Sequence, residues 1–314
     1  MRPHAKAVKS TPLLAHVRNR AGHERFCCAT LREAEGLVAA GLGTDLLVAN
    51  ETLDAPRLGR LAAAGRAGGG LLTIAVDSPE TIQTAAAAAR LGPVATLIDV
   101  NVGLPRCGCR PDQAGHLAEL ARGAGIEVRG VMGYEGHVVG NPDRAWRSEQ
   151  VGKSMELLRV AHDAVGGEVI SAGGTGTYDL HQWASEIQAG SYLLMDTHYG
   201  RLGLPFRQAL FVEATVLSVN DDGYAVADAG LKAFGMDHGD PEIEGRGVFF
   251  CSDEHVSFTW DAPRRPRVGD RIRMLPAHID PTVAYHEHLA VIDTADPDGG
   301  GQVIDTWPVD LRGW

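Results

Sequence analysis

The first 200 residues repeat one pattern, in which a short run of aliphatic or β-branched residues is followed by a turn and by an amphipathic stretch with helix-start signals. Strands that alternate with helices form parallel sheets, and eight such units favour a closed (β/α)8 barrel over an open doubly wound sheet. The sequence therefore predicts an α/β protein of the TIM-barrel type. The predicted strands cover residues 2–7, 25–30, 45–50, 71–76, 94–100, 127–133, 168–172 and 191–195.

Helices are predicted between these strands, because their apolar residues recur at helical spacing. Ser78 stands where an N-cap residue would accept a backbone hydrogen bond, and Glu80 follows in the first turn of the same predicted helix. The predicted helices include residues 31–40, 79–91, 112–122 and 144–164.

The pattern changes after Gly200, where short β-rich runs are separated by Gly, Asp and Pro turns. We therefore expect two domains: a barrel over residues 1–200 and a smaller β-rich domain over residues 201–314. The strands predicted in the second domain cover residues 209–219, 224–229, 247–258, 271–279 and 289–293.

Charge and cysteine content exclude several classes of partner. The 29 Lys and Arg residues against 40 Asp and Glu residues give a formal net charge of −11. No basic run is available to neutralise a nucleic-acid backbone or an anionic membrane surface. The five cysteines form no CxxC pair, and the first ten residues contain no apolar signal segment. We expect a cytoplasmic protein that binds neither nucleic acid nor a membrane.

Two glycine-rich segments follow the seventh predicted strand and begin the eighth. In SAGGTGT at 171–177 and GSY at 190–192, small residues let backbone N–H groups approach an anion, and hydroxyl groups add donors. Phosphate sites in such barrels favour these loops, although tight turns alone would also explain the glycines. The residues of this predicted phosphate site are Gly173, Gly174, Thr175, Thr177, Gly190, Ser191 and Tyr192.

Lys6 ends the first predicted strand, where its amine would lie in the mouth of the barrel. A lone lysine is more often a solvated surface charge. A lysine opposite a phosphate site, however, is the arrangement of a pyridoxal phosphate enzyme, in which the amine forms a Schiff base and the ring accepts electrons. The sequence thus predicts pyridoxal 5′-phosphate as the cofactor.

His278 lies at the end of a predicted strand of the second domain, and Asp280 directly follows that strand. Residues i and i+2 of a strand point to the same face, so the imidazole and the carboxylate can converge on one metal ion. A plain hydrogen bond between the two side chains at a strand end is the alternative.

Ten segments in sequence order carry a resemblance to a known family. They are RPHAKAVKS, RFCCATLREAEGLVAAGLGTDLLVANE, IDVNVGLPRCG, GVMGYEGH, SAGGTGT, QAGSYLLMD, FGMDHG, SDEH, PAHIDPTV and DTWPVDLRGW. Together they resemble the D-threonine aldolase and D-serine dehydratase family, which has the alanine-racemase-like fold of pyridoxal phosphate enzymes. The resemblance extends from residue 2 to residue 314.

The resemblance implies that Lys6 forms the Schiff base, that Arg106 lies near the phenolic oxygen of the cofactor, and that Tyr134 lies near its phosphate. Arg106 follows the fifth predicted strand and Tyr134 the sixth, so both would face the same mouth of the barrel. Further cofactor contacts are implied for Thr175, Thr177, Gly190 and Ser191.

The resemblance also implies that His278 and Asp280 bind a divalent ion, and an imidazole with a carboxylate suits Mn²⁺, Mg²⁺, Co²⁺ or Zn²⁺. His137, His255 or a metal-bound hydroxide would act as the catalytic base. His255 belongs to an acidic segment that the family has near the metal, although Val256 follows it where the family has Gly.

Two features depart from the family pattern. The RPHxK motif begins at residue 2, whereas the family usually carries several dozen residues before it, so we expect a chain shortened at its amino terminus. Val8 stands where the family usually has a second His. Cys107 and Cys109 flank Gly108 beside Arg106 and are interpreted as an inert pair rather than a redox couple.

These observations predict a metal-assisted aldolase that cleaves D-3-hydroxy amino acids, such as D-threonine or 3-hydroxy-D-aspartate, to glycine and an aldehyde. A dehydratase of D-serine or D-threo-3-hydroxyaspartate is the alternative, and a pseudoenzyme that only binds the cofactor is a further one. Asp280 favours the aldolase, because the resemblance implies Cys at this position in the dehydratases. A homodimer is the expected assembly.

Overall fold

The computed structural model describes residues 1–260, 265–293 and 301–313. The chain divides into two compact units, of which the first is Met1–Gly190 with the last residues from Asp310 onward, and the second is Ser191–Val309. No helix in the described part of the chain is both long and apolar enough to cross a membrane.

Seven parallel strands form the sheet of the first unit, each hydrogen-bonded to the next in sequence order. Their residues are almost all buried, as expected where helices cover a parallel sheet. The predicted α/β barrel class is confirmed. The strands are β1 (Arg25–Cys28), β2 (Asp45–Val48), β3 (Leu71–Val76), β4 (Val94–Asp99), β5 (Glu127–Gly133), β6 (Val169–Ala172) and β7 (Glu186–Ile187).

Helices begin after the strands at capping residues that the sequence provides. Ser78 accepts a hydrogen bond from the Thr81 N–H, which confirms the predicted start of that helix. Thr30 and Glu33 form a reciprocal capping box before the helix that follows β1. The helices of this unit are α1 (Thr11–Ala21), α2 (Leu31–Ala39), α3 (Ala55–Gly68), α4 (Pro79–Ala89), α5 (Ala114–Gly123) and α6 (Arg144–Val165).

Residues 2–4 lie between β1 and the end of β7 and connect the two edges of the sheet. The Arg2 N–H donates to the Ile187 carbonyl at 2.8 Å, and the His4 N–H donates to the Ala189 carbonyl at 2.9 Å. On the other side, the Cys27 N–H donates to the Pro3 carbonyl at 2.9 Å. Backbone groups at both edges therefore find partners, as they do in a closed barrel.

Two of the eight predicted strands are wrong in detail. The strand expected at 2–7 is reduced to a bridge between His4 and Cys27, after which residues Ala5–Ala7 form a 3-10 helix. The His4 side chain accepts a hydrogen bond from the Lys6 N–H, and this local bond favours the turn over a longer strand. The segment expected as a strand at 191–195 begins with a 3-10 helix, and the last strand of the sheet is the shorter β7.

The second unit contains a five-stranded sheet in the order β10-β11-β9-β8-β12 and a separate pair, β13 with β14. All the pairings are antiparallel, and the five-stranded sheet packs one face on a core that includes Val216, Phe234, Phe258 and Met274. The elements are α7 (Thr197–Gly200), β8 (Val212–Val219), β9 (Tyr224–Ala227), β10 (Arg246–Cys251), β11 (Val256–Trp260), β12 (Arg271–Met274), α8 (Ile279–Tyr285), β13 (His288–Ile292) and β14 (Val303–Pro308).

Three details of the second unit differ from the prediction. The strand expected at 247–258 is two strands, β10 and β11, because the polar residues between them form a turn. The strand expected at 271–279 ends at Met274, and α8 begins at Ile279 with His278 at the N-cap position. Pro276 lacks the N–H that would continue a ladder, which accounts for the early end. The strand β14 was not predicted.

Arg2 is 1% exposed and binds acidic groups of β2 and of β7, the second and the last strand of the sheet. Its Nε donates to Glu186 Oε2 at 2.7 Å, and its Nη1 donates to Asp45 Oδ1 at 3.1 Å. Glu186 also accepts a hydrogen bond from Ser171 Oγ at 2.8 Å. The Arg2 guanidinium therefore pairs with the carboxylates of both Glu186 and Asp45. These ion pairs hold residues 2–4, called the closing segment below, in place.

We predict that Arg2→Ala lowers the free energy of unfolding by about 3–5 kcal/mol, because Glu186 would stay buried without its cation. Arg25→Ala is the matched control, since Arg25 pairs with the same Asp45 at 3.2 Å but its side chain is 61% exposed. The control should change the free energy of unfolding by less than about 1 kcal/mol. Urea titration of both variants tests this, and equal effects would contradict it.

Candidate active site

Lys6 lies in the 3-10 turn directly after the closing segment, and this turn packs against the glycine-rich loop that follows β7. A Cβ atom on Gly190 would stand 2.8 Å from the His4 carbonyl oxygen and 2.9 Å from Ala7 Cβ, closer than side chains allow. Only glycine therefore lets the Gly190 loop approach the Lys6 turn. Two of the predicted cofactor residues are thus neighbours.

His4 is buried among the cations of this site. Burial holds the pKa of His4 well below its ordinary value, and the positive charges of Lys6, Lys9 and Arg106 lower the pKa further. Lys9 forms an ion pair with the buried carboxylate of Glu33. The charges of Lys6, Lys9 and Arg106 therefore all act on one buried imidazole.

Tyr134 follows β5 and meets both the glycine-rich loop after β6 and the loop after β4. A Cβ atom on Gly174 would lie 3.2 Å from the Tyr134 ring. The guanidinium carbon of Arg106 lies 5.3 Å from the centroid of the same ring, within the range of a cation–π contact. Arg106, Tyr134 and Gly174, each in a loop that follows a different strand, therefore come together.

Glu135, which the sequence analysis did not single out, organises the loop after β6. Its side chain is fully buried and accepts hydrogen bonds from Thr177 Oγ1 at 2.6 Å, His181 Nε2 at 2.9 Å and the Gly173 N–H at 3.3 Å. Burial would raise the pKa of Glu135, but the hydrogen bonds from His181 and Thr177 outweigh it and hold the pKa below its ordinary value. In the sequence, the glutamate of the segment GYEGH was the signal that could have pointed to this residue.

Thr177, predicted to contact the cofactor, has its donors engaged inside this loop. Its hydroxyl proton goes to Glu135, and its N–H donates to the Gly174 carbonyl at 3.2 Å. Its hydroxyl oxygen accepts from the Gly174 N–H at 3.2 Å. Thr177 therefore shapes the loop, whereas Thr175, which is 2% exposed, lies at its centre.

Acidic residues surround the loop that carries Arg106. Asp77 Oδ2 accepts from the Gly108 N–H at 3.1 Å and so anchors this loop. Burial, and then the Glu51 carboxylate, raise the pKa of Asp99 well above its ordinary value. Partial burial and the same Glu51 raise the pKa of the Cys107 thiol to about 11, so the thiol stays protonated near neutral pH.

His137 lies against the same loop, where a Cβ atom on Gly103 would stand 2.8 Å from its Cε1. Gly103 has a φ of +124°, which also restricts this position to glycine. His137, the candidate acid or base of the first unit, therefore lies beside the loop between β4 and α5.

In the second unit, His278 and Asp280 stand at the start of α8 rather than on a strand. His278 Nε2 lies 3.8 Å from Asp280 Oδ2, too far for a hydrogen bond. The other ring nitrogen, Nδ1, is 2.8 Å from Asp237 Oδ2. Asp280 Oδ2 also accepts from Ser191 Oγ at 3.4 Å.

His238 stacks on His278, and the ring of His198 packs against His238. The rings of His238 and His278 are parallel within 10° at a centroid distance of 4.0 Å, and His198 lies 4.3 Å beyond His238. Among the described residues, ligand atoms of Asp237, His238 and His278 lie within 4.8 Å of one another. Sequence reasoning missed Asp237 and His238, although both belong to the quoted segment FGMDHG.

Tyr192 and His255, two other predicted site residues of this unit, lie in different surroundings. Tyr192 packs on Phe206 with a centroid distance of 5.4 Å, and burial raises the pKa of Tyr192 to about 12. His255 is exposed in the turn between β10 and β11, where its carbonyl accepts from the Ser252 N–H at 2.9 Å. The base role of His255 stays a prediction.

Comparison with known proteins identifies the family. The sequence pattern described as "Alanine racemase, N-terminal domain" matches residues 1–210, and the pattern "Putative serine dehydratase domain" matches residues 209–292. The 3-hydroxy-D-aspartate aldolase of Paracoccus denitrificans (strain Pd 1222) is 31% identical over 99% of this chain and 84% of the relative. The D-threonine aldolase of Arthrobacter sp. is 32% identical over 100% of this chain and 86% of the relative. The chain belongs to the D-threonine aldolase and D-serine dehydratase family.

Solved structures of this family agree with the assignment. D-threonine aldolase from Filomicrobium marinum superposes with a TM-score of 0.91 at 30% identity, covering 99% of this chain and 87% of that one. D-threo-3-hydroxyaspartate dehydratase from Delftia sp. HT23 superposes with a TM-score of 0.79 at 27% identity, covering 100% and 90%. The alanine-racemase-like fold and the carbon–carbon lyase class of a D-threonine aldolase-like enzyme are confirmed.

Because the pKa of Glu135 is lowered in the folded state, we expect this residue to affect how the free energy of unfolding changes with pH. Because the carboxylate is favoured in the folded state, its contribution is present above its ordinary pKa and is lost as the pH falls through the lower, folded-state pKa. Glu135→Gln should therefore be less stable than wild type at pH 7, by up to about 3 kcal/mol, but should lose less stability on acidification.

Urea unfolding between pH 7 and about pH 3 measures both effects. Glu119→Gln, at an exposed position of α5, is the control and should follow the wild-type profile. Parallel pH profiles for wild type and Glu135→Gln would show that Glu135 does not stabilise the loop as a carboxylate.

Proposed function

We propose that this chain is a pyridoxal phosphate- and divalent-metal-dependent aldolase that cleaves D-3-hydroxy amino acids to glycine and an aldehyde. Two arrangements described above support this proposal. In the first unit, the turn that carries Lys6 packs on the loop that carries Gly190. In the second unit, His278 and Asp280 lie close together. The aldolase names of the relatives support the reaction class. We further propose that it acts in the cytoplasm as a homodimer, with residues 1–200 and 201–314 as its two domains.

The residues of the first unit fit pyridoxal phosphate. When bound, this cofactor withdraws electrons from the bonds at the α-carbon of an amino acid. Lys6 would bind the cofactor through its amine, and Arg106 would donate to the phenolic oxygen. The phosphate would be held near Tyr134 by the following residues: Gly173, Gly174, Thr175 and Gly190. Ser191 and Tyr192, at the start of the second unit, stay predicted cofactor contacts. Thr177, with Glu135, would hold the loop in shape.

The residues of the second unit fit a divalent cation. Two ligand atoms that are each about 2.1 Å from one ion stand at most about 4.2 Å apart, and His278 Nε2 and Asp280 Oδ2 are 3.8 Å apart. Such an ion lowers the pKa of a hydroxyl group that it binds. An imidazole with a carboxylate suits Mn²⁺, Mg²⁺, Co²⁺ or Zn²⁺.

Cleavage of the Cα–Cβ bond requires that the β-hydroxyl loses a proton and that the α-carbon gains one. His137 and His255 are the chain's candidates for moving these protons, since an imidazole exchanges protons near neutral pH. His137 is held beside Gly103, whereas His255 is exposed, so a single substitution at each position separates their roles.

One assay decides between the aldolase and the dehydratase, which a structural relative supports as the second candidate. Protein supplied with pyridoxal phosphate and Mn²⁺ is offered D-threonine, 3-hydroxy-D-aspartate and D-serine, and the products are identified by mass spectrometry. Glycine with an aldehyde supports the aldolase. A keto acid with ammonia supports the dehydratase, and no turnover with bound cofactor supports a pseudoenzyme.

Lys6→Arg should abolish covalent attachment of the cofactor, because a guanidinium keeps the charge but does not form an imine. Lys9→Arg is the matched control, since it keeps the ion pair with Glu33. Borohydride reduction followed by peptide mass spectrometry should find the adduct on Lys6 in wild type and in the control. An adduct that survives in the Lys6 variant would refute the lysine assignment.

Chelation or His278→Ala should remove most aldolase activity and leave the visible absorbance of the bound cofactor largely unchanged, because the proposed ion acts on the substrate hydroxyl. Asp280→Cys should shift the metal preference from Mn²⁺ toward Zn²⁺, since a thiolate is the softer ligand. His116→Ala, at an exposed position, is the control. Full activity in strong chelator, with the ion absent by elemental analysis, would contradict the metal-assisted reaction.

A further inference from the structure

We infer that Asp237 is the positioning residue of the metal site: it holds the Nδ1 proton of His278 and thereby directs Nε2 to the ion. The inference rests on the proposed function, because it concerns the ion that His278 and Asp280 would bind. It adds a residue from a different segment of the chain, 41 positions before His278.

The hydrogen bond between Asp237 and His278 determines which ring nitrogen is available. Both oxygens of Asp237 lie near His278 Nδ1, Oδ1 at 3.0 Å and Oδ2 at 2.8 Å. A carboxylate only accepts, so Nδ1 carries the proton and the lone pair of a neutral imidazole is on Nε2. Nε2 is also the nitrogen that lies 3.8 Å from Asp280.

The backbone fixes Asp237 relative to His278. Gly235 and His278 form an antiparallel bridge, and Thr282 Oγ1 donates to the His278 carbonyl at 2.6 Å while accepting from the Gly235 N–H at 2.9 Å. A Cβ atom on Gly235 would collide with the ring of Pro281. Glycine at this position therefore lets the Asp237 segment lie directly on the start of α8.

Stacking restricts the remaining freedom of the imidazole. His238 lies parallel to His278 within 10° at 4.0 Å, so the ring plane of His278 is held as well as its tautomer. Partners of this kind on the second nitrogen of a ligating histidine typically change metal affinity by 10–100-fold.

Direct ligation by Asp237 is the competing arrangement, because Asp237, His238 and His278 themselves form a cluster of ligand atoms. An ion inside that cluster would bind His278 through Nδ1 and would displace the hydrogen bond to Asp237. The two arrangements thus use opposite nitrogens of the same ring. The one that includes Asp280 keeps the hydrogen bond that the structure contains.

The decisive measurement is 15N NMR of the full chain loaded with Zn²⁺, which is diamagnetic. We expect the His278 signals to show a protonated Nδ1 and a metal-bound Nε2. A metal-bound Nδ1 would overturn the inference, because Asp237 would then be a ligand or a bystander. Absence of Zn²⁺ binding to wild type would overturn it together with the metal part of the proposed function.

Substitution of Asp237 tests the same point by affinity, measured by calorimetry with Zn²⁺ and with Mn²⁺ alone. Asp237→Ala should weaken binding by about 10–100-fold. Asp237→Asn should lose less, because its carbonyl oxygen still accepts from Nδ1–H. Asp240→Ala, at an exposed position of the same loop, should bind like wild type.

The pattern across the variants separates the outcomes. Wild-type affinity in Asp237→Ala, with metal still bound through His278, would overturn the role of Asp237 and leave the proposed function intact. Equal losses of metal affinity in the Asn and Ala variants would also overturn the inference. They would show that the acceptor oxygen kept by Asn makes no difference, as expected if the Asp237 carboxylate were itself a metal ligand. A thermal unfolding curve of each variant without metal shows whether the fold is kept.

Discussion

The hydrogen bonds that residues 2–4 make to β1 on one side and beyond β7 on the other are the constraint on which the first unit depends. A parallel sheet with open edges would leave backbone donors and acceptors without partners, and the buried guanidinium of Arg2 secures the connection through Glu186 and Asp45. Lys6 follows this segment by two residues. Closure of the sheet and the position of the lysine are therefore determined together, and the absence of a side chain at Gly190 lets the loop after β7 pack on the same turn.

Carboxylates orient donors in both units, a buried one in the first and an exposed one in the second. Glu135 accepts from Gly173, Thr177 and His181 and so gives the glycine-rich loop its shape, although a carboxylate next to a loop proposed to bind phosphate is electrostatically unfavourable for that anion. Asp237 accepts from the Nδ1–H of His278 in the second unit. In each case the acid contacts a residue proposed to bind the cofactor or metal, and it acts by fixing that residue's geometry.

The local structure around two predicted site residues differs from the prediction. Lys6 was expected on a strand and lies in a 3-10 turn, and His278 was expected on a strand and caps a helix. The proposed role of Lys6 does not depend on this difference, because a position after a strand of a parallel sheet faces the same end whether it is a strand end or a turn. The spacing of His278 and Asp280 likewise allows their ligand atoms to approach in the first turn of a helix. Glu135 and Asp237 were missed, since nothing in a single sequence indicates which partner an acid will contact.

The sequence by itself determined the alternation of strands and helices, the change to β-structure after the barrel, and the family, because hydrophobic period and short motifs are local properties of the chain. Only the tertiary structure decided that residues 2–4 complete the sheet, that Lys9 pairs with Glu33, that the turn of residues 4–7 lies against Gly190, and that Nδ1 of His278 is occupied by Asp237. These are contacts between residues distant in sequence. Their geometry follows from how packed elements bring side chains together, which no local pattern specifies.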